Sequence, residues 1–524
     1  MPKAQKFRAS KTAYVSPSQL TIGGFESPFS QSLDPNNRWV VLAHKIPWDI
    51  LVDTYLVQLN NSETGAEAIN PRVAIGAMIL KHMCNMSDRE TVLQIQENMY
   101  MQYFIGYSSF SAAIPFDPSL FVDFRKRLGI DQINSINEKI LGLITSHSQP
   151  PTNNKSNSND KDNDDDVDNN PQNENTPTDR ITDQQDCITN KGQLITDATA
   201  CPQDIAYPTD LNLLNGAREK SEEIIDMAYD SRYHKKKPRT YRNVARKYYL
   251  KTAQKKIKSR KEIHNAVKKQ LGYLRRNLKS IDILLDQHPY FPLNKKYHKY
   301  LLVIHTLYDQ QYKMFTEDSH SIEHRIVSIH QPHVRPIVRG KTNANVEFGA
   351  KINVSIMNGF AFLDDLSWDA FNEGTRLMAT VEKYKKRFGY YPAEVLADKI
   401  YCNRSNRAAL KLLGIKLRAK PLGRPTAVDV EHVRPGERNP IEGKFGQAKT
   451  AYGLDRIRAR LAQTSESWIA TIILVLNLVK LTGMSIYCHI LSVFTFSARY
   501  ILELFIKKNP RLNILEIFEL KTTD

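Results

Sequence analysis

The stretch ERNPIEGKFGQAK, residues 437–449, carries one carboxylate between two cations at helical spacing. Glu442 follows Arg438 by four residues and precedes Lys449 by seven, and an α-helix places side chains at these offsets on one face. By itself, such a row is typical of an exposed ion-pair ladder. Its interpretation therefore depends on the acids that precede it in the chain.

Two aspartates upstream each follow a short apolar run that is typical of a buried strand. Asp197 follows LIT at 194–196, and Asp398 follows EVLA at 394–397. Either aspartate alone is better explained as a turn residue or a helix cap. Two strand-end aspartates and one helical glutamate together form a set suited to binding divalent metal. We therefore take Asp197, Asp398 and Glu442 as the candidate catalytic and metal-binding residues.

In this order, the motifs resemble the DDE transposases of bacterial insertion sequences. The matching segments are TDAT (196–199), ADKIY (397–401) and Arg438-x3-Glu442-x6-Lys449 followed by YGL (452–454). The last segment resembles the Tyr-Arg-Glu-Lys signature of that superfamily, except that Pro435 stands where the tyrosine is expected. This departure concerns a DNA contact and not the metal site. The resemblance extends from about 33 to about 480.

The chemistry expected at the three acids is phosphodiester cleavage. Two divalent ions, Mg²⁺ or Mn²⁺, about 4 Å apart can activate a water and stabilise both the attacking and the leaving oxygen. We expect Asp197 to bridge the two ions, with Asp398 and Glu442 as flanking ligands. The resemblance further implies that the freed 3′-hydroxyl then attacks target DNA. Spacing alone would support only a metal-dependent nuclease.

Composition favours a nucleic-acid partner. The 524-residue chain has a formal net charge of +17 and a pI of about 9.4, which favours a polyanion. The expected partners are double-stranded DNA, both terminal inverted repeats and target, and a second copy of the chain, because two element ends must be handled together. We expect a soluble cytoplasmic protein associated with the nucleoid, with no membrane partner, since 469–479 is too short to span a bilayer. The five cysteines form no CxxC pair and fit a reducing compartment.

The predicted fold class is an α/β ribonuclease-H-like catalytic domain with a helical insertion, preceded by an all-α N-terminal domain. The expected divisions are a polar lead-in (1–32), a helical DNA-binding or dimerisation domain (33–147), a disordered acidic linker (148–190), the catalytic domain (191–481) with its basic insertion at about 215–320, and a C-terminal tail (482–524).

Three capped helices are predicted in the N-terminal domain. The first runs from Arg72 to Met83 behind Asn70-Pro71, the second follows a capping box at Ser87, and the third covers 119–128. Such a series fits a helix-turn-helix-like unit or a bundle used only for packing or dimerisation. The basic triplet at 125–127, which ends the third helix, suits either phosphate contacts or a solvated helix end.

The insertion is strongly basic. Between Arg232 and Lys279 there are nineteen Lys or Arg residues and one acid, Glu262. This density is consistent with a solvated helical face or with a surface that follows DNA. Arg456, Arg458 and Arg460 extend a second basic strip, for which a solvated helix face is the alternative. The candidate DNA-binding residues are Lys235, Lys236, Lys237, Arg438, Lys449, Arg456 and Arg458.

Strands are predicted at 193–196, 326–329, 346–356, 360–363, 393–397 and 415–419, with Met357-Asn358-Gly359 as a hairpin turn. Helices are predicted at 213–229, 375–388, 405–413 and 468–481, besides the helix of Glu442. The leading hypothesis is a transposase that cuts and joins DNA. The alternatives are a ribonuclease-H-like nuclease without joining activity and an inactive, transposase-derived DNA-binding protein.

Overall fold

The structure, a computed structural model, describes residues 32–57, 68–147, 190–341, 344–419 and 436–482. Nearly all of the predicted lead-in and linker, Pro435 and the tail beyond Thr482 lie outside these residues. The description below concerns the described ranges alone.

Seven helices form the N-terminal part. They are α1 (Arg38–Lys45), α2 (Trp48–Leu56), α3 (Pro71–Met83), α4 (Asp88–Glu97), α5 (Met99–Phe104), α6 (Phe121–Arg127) and α7 (Ile130–His147). The first two predicted helix starts are confirmed: Asn70 accepts from the Arg72 N–H, and Ser87 accepts from the Glu90 N–H. The third predicted helix is divided, because a 3-10 turn at Pro118–Leu120 precedes α6.

Four helices form the insertion. They are α8 (Asp210–Ala228), α9 (Arg242–Ala253), α10 (Arg260–Asp286) and α11 (Lys295–Thr316). Helix α8 begins three residues earlier than predicted because Thr209 caps it. Apolar residues of α8, α10 and α11, including Leu214, Leu274 and Ile304, form a core of their own. The insertion is therefore a packed helical unit and not a loose excursion.

Six strands form one mixed sheet. They are β1 (Gln193–Pro202), β2 (Arg335–Lys341), β3 (Ala344–Met357), β4 (Phe360–Ser367), β5 (Glu394–Leu396) and β6 (Lys416–Arg418). Strand β3 pairs antiparallel with β1, β2 and β4, whereas β1, β5 and β6 are parallel neighbours. The predicted strand at 326–329 is wrong, because these residues pair with no strand. Ile326 and Ile329 instead pack into the apolar core of the insertion.

The predicted hairpin between β3 and β4 is confirmed. Its turn residues Asn358 and Gly359 have φ values of 50° and 77°, as a two-residue turn of the primed type requires. Four helices complete the chain as described: α12 (Leu377–Phe388), α13 (Arg404–Leu412), α14 (Asn439–Tyr452) and α15 (Ala462–Thr482).

Helix α15 is the central element of the core. Trp468, Ile472 and Val475 belong to one apolar cluster with residues of α1–α7 and of β3. Within the described ranges, α15 extends well beyond the predicted 469–479 run, so the expectation that this run is too short to cross a membrane is wrong for the helix as a whole. Most of the helix is, however, buried inside the protein. Such burial is typical of a core helix. The N-terminal helices and the sheet are thus joined through α15.

Candidate active site

Asp197 lies within β1, and not at its end as predicted. Strand β1 continues to Pro202 because residues 195–202 pair with 349–356 of β3. On the other side, β1 pairs in parallel with β5, with Ile195 opposite Leu396. Strand β5 ends there, and Asp398 follows two residues later. The parallel register therefore brings Asp197 and Asp398 to the same level, beyond the end of β5.

One guanidinium joins these two aspartates. Arg438 contacts the Asp197 Oδ2 through Nη2 at 3.2 Å and the Asp398 Oδ1 through Nη1 at 3.1 Å. Its Nε is buried and has no hydrogen-bond partner within the described part of the chain. Two carboxylates from neighbouring strands thus converge on a cation. Carboxylate oxygens are the kind of ligand that a hard divalent ion prefers.

Asp197 is poorly neutralised by this arrangement. Burial raises the pKa of the Asp197 carboxyl to about 6, even though the Ala198 N–H and Arg438 lower it. The negative charges of Glu373 and Asp398 raise the pKa further. A buried carboxylate that resists ionisation gains from an additional positive charge. The site is therefore electrostatically suited to a cation that carries more positive charge than one arginine.

Helix α14 is fixed over the strand ends by two contacts. Ile441 is buried in a cluster with Ile195 and Leu396. Glu437, just before the helix, forms an ion pair with Arg418 of β6, with 2.6 Å between the Glu437 Oε2 and the Arg418 Nη2. These contacts hold the first turn of α14 beside the two aspartates. Because a helix rises about 1.5 Å per residue, Glu442 lies roughly 6 Å along the axis from Arg438.

Glu442 is exposed in this first turn. Among the residues that the structure describes, no group of three His, Cys, Asp or Glu side chains lies close enough to hold a metal ion. The structure thus brings Asp197 and Asp398 together and leaves Glu442 one helical turn aside. Lys449 lies on the same helix and is partly buried.

The second basic strip is extended and not helical. Ile457 bridges Gln203 in parallel, and its N–H donates to the Pro202 carbonyl at 2.8 Å. In an extended segment alternate side chains share a face, and Arg456, Arg458 and Arg460 are all exposed. Arg456 pairs with Asp204 at 3.0 Å. The alternation in RIRAR was the available signal for a strand.

Lys235, Lys236 and Lys237 lie in the connection between α8 and α9. Lys237 pairs with Asp226 at 2.8 Å, and Lys235 and Lys236 are exposed. The candidate DNA-binding residues therefore fall into three regions: the insertion, the α14 helix and the extended segment after it.

Sequence reasoning missed two polar residues beside the aspartates. Tyr401 is fully buried, and its hydroxyl donates to the Asn353 Oδ1 at 3.3 Å. Burial raises the pKa of Tyr401, and the charges of Glu373 and Asp197 raise it further. Glu373 was missed because no local motif marks it. Only the folded chain brings its turn next to the turn that follows Asp398. Tyr401 stood within the ADKIY segment.

Two parts of the chain match families of known proteins. Residues 27–127 match a family described as a transposase domain (DUF772), and residues 395–479 match a transposase DDE domain. The first match covers α1 to α6. The second contains Asp398 and Glu442 and begins after Asp197. The DDE domain is that of a DNA-cutting enzyme.

Both matches point to the same family of proteins, and neither covers half of the chain. They support an insertion-sequence DDE transposase, so the resemblance seen in the sequence is confirmed. A relative from Rhizobium meliloti, described as uncharacterized protein ORF8 in nfe locus, is 31% identical over 105 residues. That alignment covers 20% of this chain and 50% of the relative, so the chain spans about half of its length. No solved structure matches the chain significantly.

Proposed function

We propose that this protein binds the ends of a mobile DNA element and catalyses metal-dependent strand cleavage and transfer into target DNA. The observation that carries the proposal is the convergence of Asp197, within β1, and Asp398, just after β5, on Arg438. That convergence occurs in a chain with two transposase-family matches. The helix of Glu442 lies beside it.

The sheet supports a ribonuclease-H-like catalytic fold. Strands β1 to β4 form an antiparallel set, and two short parallel strands, β5 and β6, follow it in the chain. Helix α12 precedes β5, and helix α13 connects β5 to β6. The first acid lies on β1 and the second follows β5. We propose that the basic helices α8 to α11 are an insertion between the first two strands of this fold.

Asp197, Asp398 and Glu442 are the residues that would hold two divalent ions, Mg²⁺ or Mn²⁺. When bound, the ions activate water and stabilise the oxygens of the scissile phosphate. With the ions held there, Arg438 would no longer be the counter-charge of Asp197 and Asp398. At the N-terminus of α14 it is placed to bind a phosphate oxygen, a group that guanidinium binds well. Glu442 lies on the same helix, one turn further along.

The DNA partner is supported by the distribution of charge. Exposed cations lie in the insertion at Lys235 and Lys236, and on the extended segment at Arg456 and Arg458. Lys237 and Lys449 extend the two regions. Such cations bind phosphates without reading sequence. We propose that these surfaces bind the terminal repeats and the target in a homodimer, since both element ends must be joined.

The test is cleavage and joining of DNA that carries the element's own ends, with wild type beside Asp398→Asn. The control is Asp455→Asn, an exposed acid in the turn after α14. Metal-dependent cleavage and joining should be present in wild type and control and absent from Asp398→Asn. Cleavage without joining would favour a nuclease. Salt-sensitive binding without cleavage by any of the three would leave a DNA-binding relic.

A further inference from the structure

Helix α10 presents an outward face that carries cations and no acid. Its buried residues, among them Leu271, Leu274 and Leu278, lie on the side that packs into the insertion core. The opposite side is exposed and carries six cations: Lys261, Lys268, Lys269, Arg275, Arg276 and Lys279. From residue 263 to residue 281 the helix contains no acid.

The ion pairs of α10 lie at its two ends. Within the described ranges these pairs are Arg260–Asp318, Lys255–Glu262 and His305–Asp282. The six outward cations form no ion pair with an acid among the described residues. Like charges three and four residues apart on one helix repel each other, so this face is unfavourable for the chain alone. A partner that supplies negative charge would remove the repulsion.

Gly272 lies at the centre of this face. A helix turns about 100° per residue, which places Gly272 between Lys268 and Arg275 on one side and Lys269 and Arg276 on the other. A Cβ at Gly272 would meet nothing within 4 Å, and its φ is not positive. Neither packing nor backbone conformation therefore requires glycine, which is among the least favourable residues inside a helix. A glycine in such a place suits the close approach of a group from outside the chain.

Two of the outward cations are held in place by aromatic rings. The Lys269 Nζ lies 3.7 Å from the centre of the Tyr248 ring, and the Arg276 guanidinium lies 4.8 Å from the centre of the Tyr241 ring. Tyr248 lies on α9, and Tyr241 directly precedes that helix. These contacts order the two cations before any partner binds, which lowers the entropy lost on binding.

We propose that the outward face of α10 binds the phosphate backbone of duplex DNA, with the backbone seated over Gly272 between two rows of cations. The inference rests on the DNA partner of the proposed function and adds to it a surface and a mode of binding. Lysine and arginine contact phosphates without reading bases, so this face holds DNA of any sequence.

The dimensions and the charge of the face fit this partner. From Lys261 to Lys279 the face is about 27 Å long, which corresponds to roughly eight base pairs of a duplex. A second copy of the same face is excluded as the occupant, because two faces of like charge repel each other.

A side chain at Gly272 should have opposite effects on folding and on DNA binding. Leucine is a better helix former than glycine and would enter open space, so Gly272→Leu should raise the temperature of unfolding. The same side chain would occupy the place of the DNA backbone, and an overpacked contact of this kind should weaken DNA binding about tenfold. A merely solvated helix face predicts the first effect without the second.

The experiment measures binding of the full chain to a fluorescent DNA duplex of arbitrary sequence, by anisotropy, over a range of salt concentrations. The variants are Gly272→Leu and the double change Lys268→Gln with Arg275→Gln. Loss of two phosphate contacts should make the slope of log K against log salt shallower by about two. The controls are Gly142→Leu on α7, where a Cβ would also meet nothing within 4 Å, and Lys386→Gln, an exposed cation on α12. Both controls should bind DNA as wild type does, and thermal melts establish that each variant is folded.

Three results would overturn the inference. Wild-type DNA affinity in Gly272→Leu, or an unchanged salt slope in the double variant, would show that DNA does not lie on this face. The proposed function would stand in that case if wild type still cuts DNA carrying the element's ends. Absence of salt-sensitive DNA binding by wild type would remove the DNA partner and the proposed function with it. Vesicles of anionic lipid form the last arm: if they bind wild type as tightly as DNA does, and Gly272→Leu weakens both equally, the face is a general polyanion site and not a DNA surface.

Discussion

Arg438 and Asp197 define the state of the site at the scale of single residues. Arg438 partly compensates two like charges that the register of β1 and β5 forces together. Asp197 remains only partly compensated, because burial keeps its pKa at about 6. A site of this kind lowers the free energy of unfolding, and binding of a cation with a higher charge would raise it again.

This cost gives a prediction for Asp197→Asn. The folded protein holds the Asp197 proton with a pKa of about 6, against an ordinary value of 3.8. Ionisation therefore opposes folding above pH 6, and this penalty disappears below about pH 4. Asp197→Asn should raise the free energy of unfolding at pH 7.5 by about 1 to 3 kcal/mol, and about half of the gain should be lost by pH 5.

Urea unfolding without divalent ions, at pH 7.5 and pH 5, measures this change. Asp455→Asn is the control, because its carboxylate is exposed. If Asp197→Asn lowered the free energy of unfolding at pH 7.5, this would contradict the claim that ionisation of the buried Asp197 carboxyl opposes folding.

At the scale of elements, helix starts and turns are predicted best, because nearby residues in the sequence determine them. Caps and prolines placed the start of α3, and a two-residue turn placed the β3–β4 hairpin. The end of β1 was not predictable, because its last residues are strand only through pairing with β3. The position of Glu373 was hidden for the same reason: its neighbours at Asp398 are brought close by folding.

The position of α14 depends on one apolar side chain. Ile441 is fully buried against Ile195 and Leu396, so Ile441→Ala should cost about 2 to 5 kcal/mol. DNA cleavage should fall further than stability alone explains, because Ile441 holds the start of α14, which carries both Arg438 and Glu442. Denaturant unfolding and cleavage rates at a temperature where the variant is folded measure the two effects.

The matched control is Leu412→Ala on α13, where the leucine is 88% exposed. That change should stay within about 0.5 kcal/mol of wild type. If Ile441→Ala kept full cleavage activity, α14 would not be the element that positions the site.

At the scale of the whole molecule, the N-terminal helices and the catalytic half are expected to fold as one unit. A buried ionic cluster joins them: Asp88 of α4 contacts Lys81 at 3.2 Å and also pairs with Arg125. Both cations lie over the ring of Trp468 on α15, at 4.3 and 5.0 Å from its centroid. The basic triplet at 125–127 therefore does not present Arg125 to phosphates.

Asp88→Asn should destabilise the entire chain. It leaves Lys81 and Arg125 buried without a full counter-charge, which costs about 3 to 5 kcal/mol. Thermal unfolding should remain a single transition at a lower temperature, because the cluster lies between the two parts. The control, Asp123→Asn, removes an exposed pair with Lys126 and should cost less than about 1 kcal/mol. Two separate transitions in Asp88→Asn would show that the parts fold independently.

The central claim is that Asp398 binds a divalent ion during DNA cleavage, and a change of ligand tests it most directly. Asp398→Cys replaces a hard oxygen by a soft sulfur at a position where the side chain is 55% exposed. Sulfur binds Mg²⁺ poorly and softer ions better. The measurement is cleavage of DNA carrying the element's ends, in Mg²⁺ and in Mn²⁺. We expect Asp398→Cys to be inactive with Mg²⁺ and partly active with Mn²⁺, whereas wild type cuts with both. Equal activity of the variant in the two ions, at the wild-type level or at none, would contradict the claim.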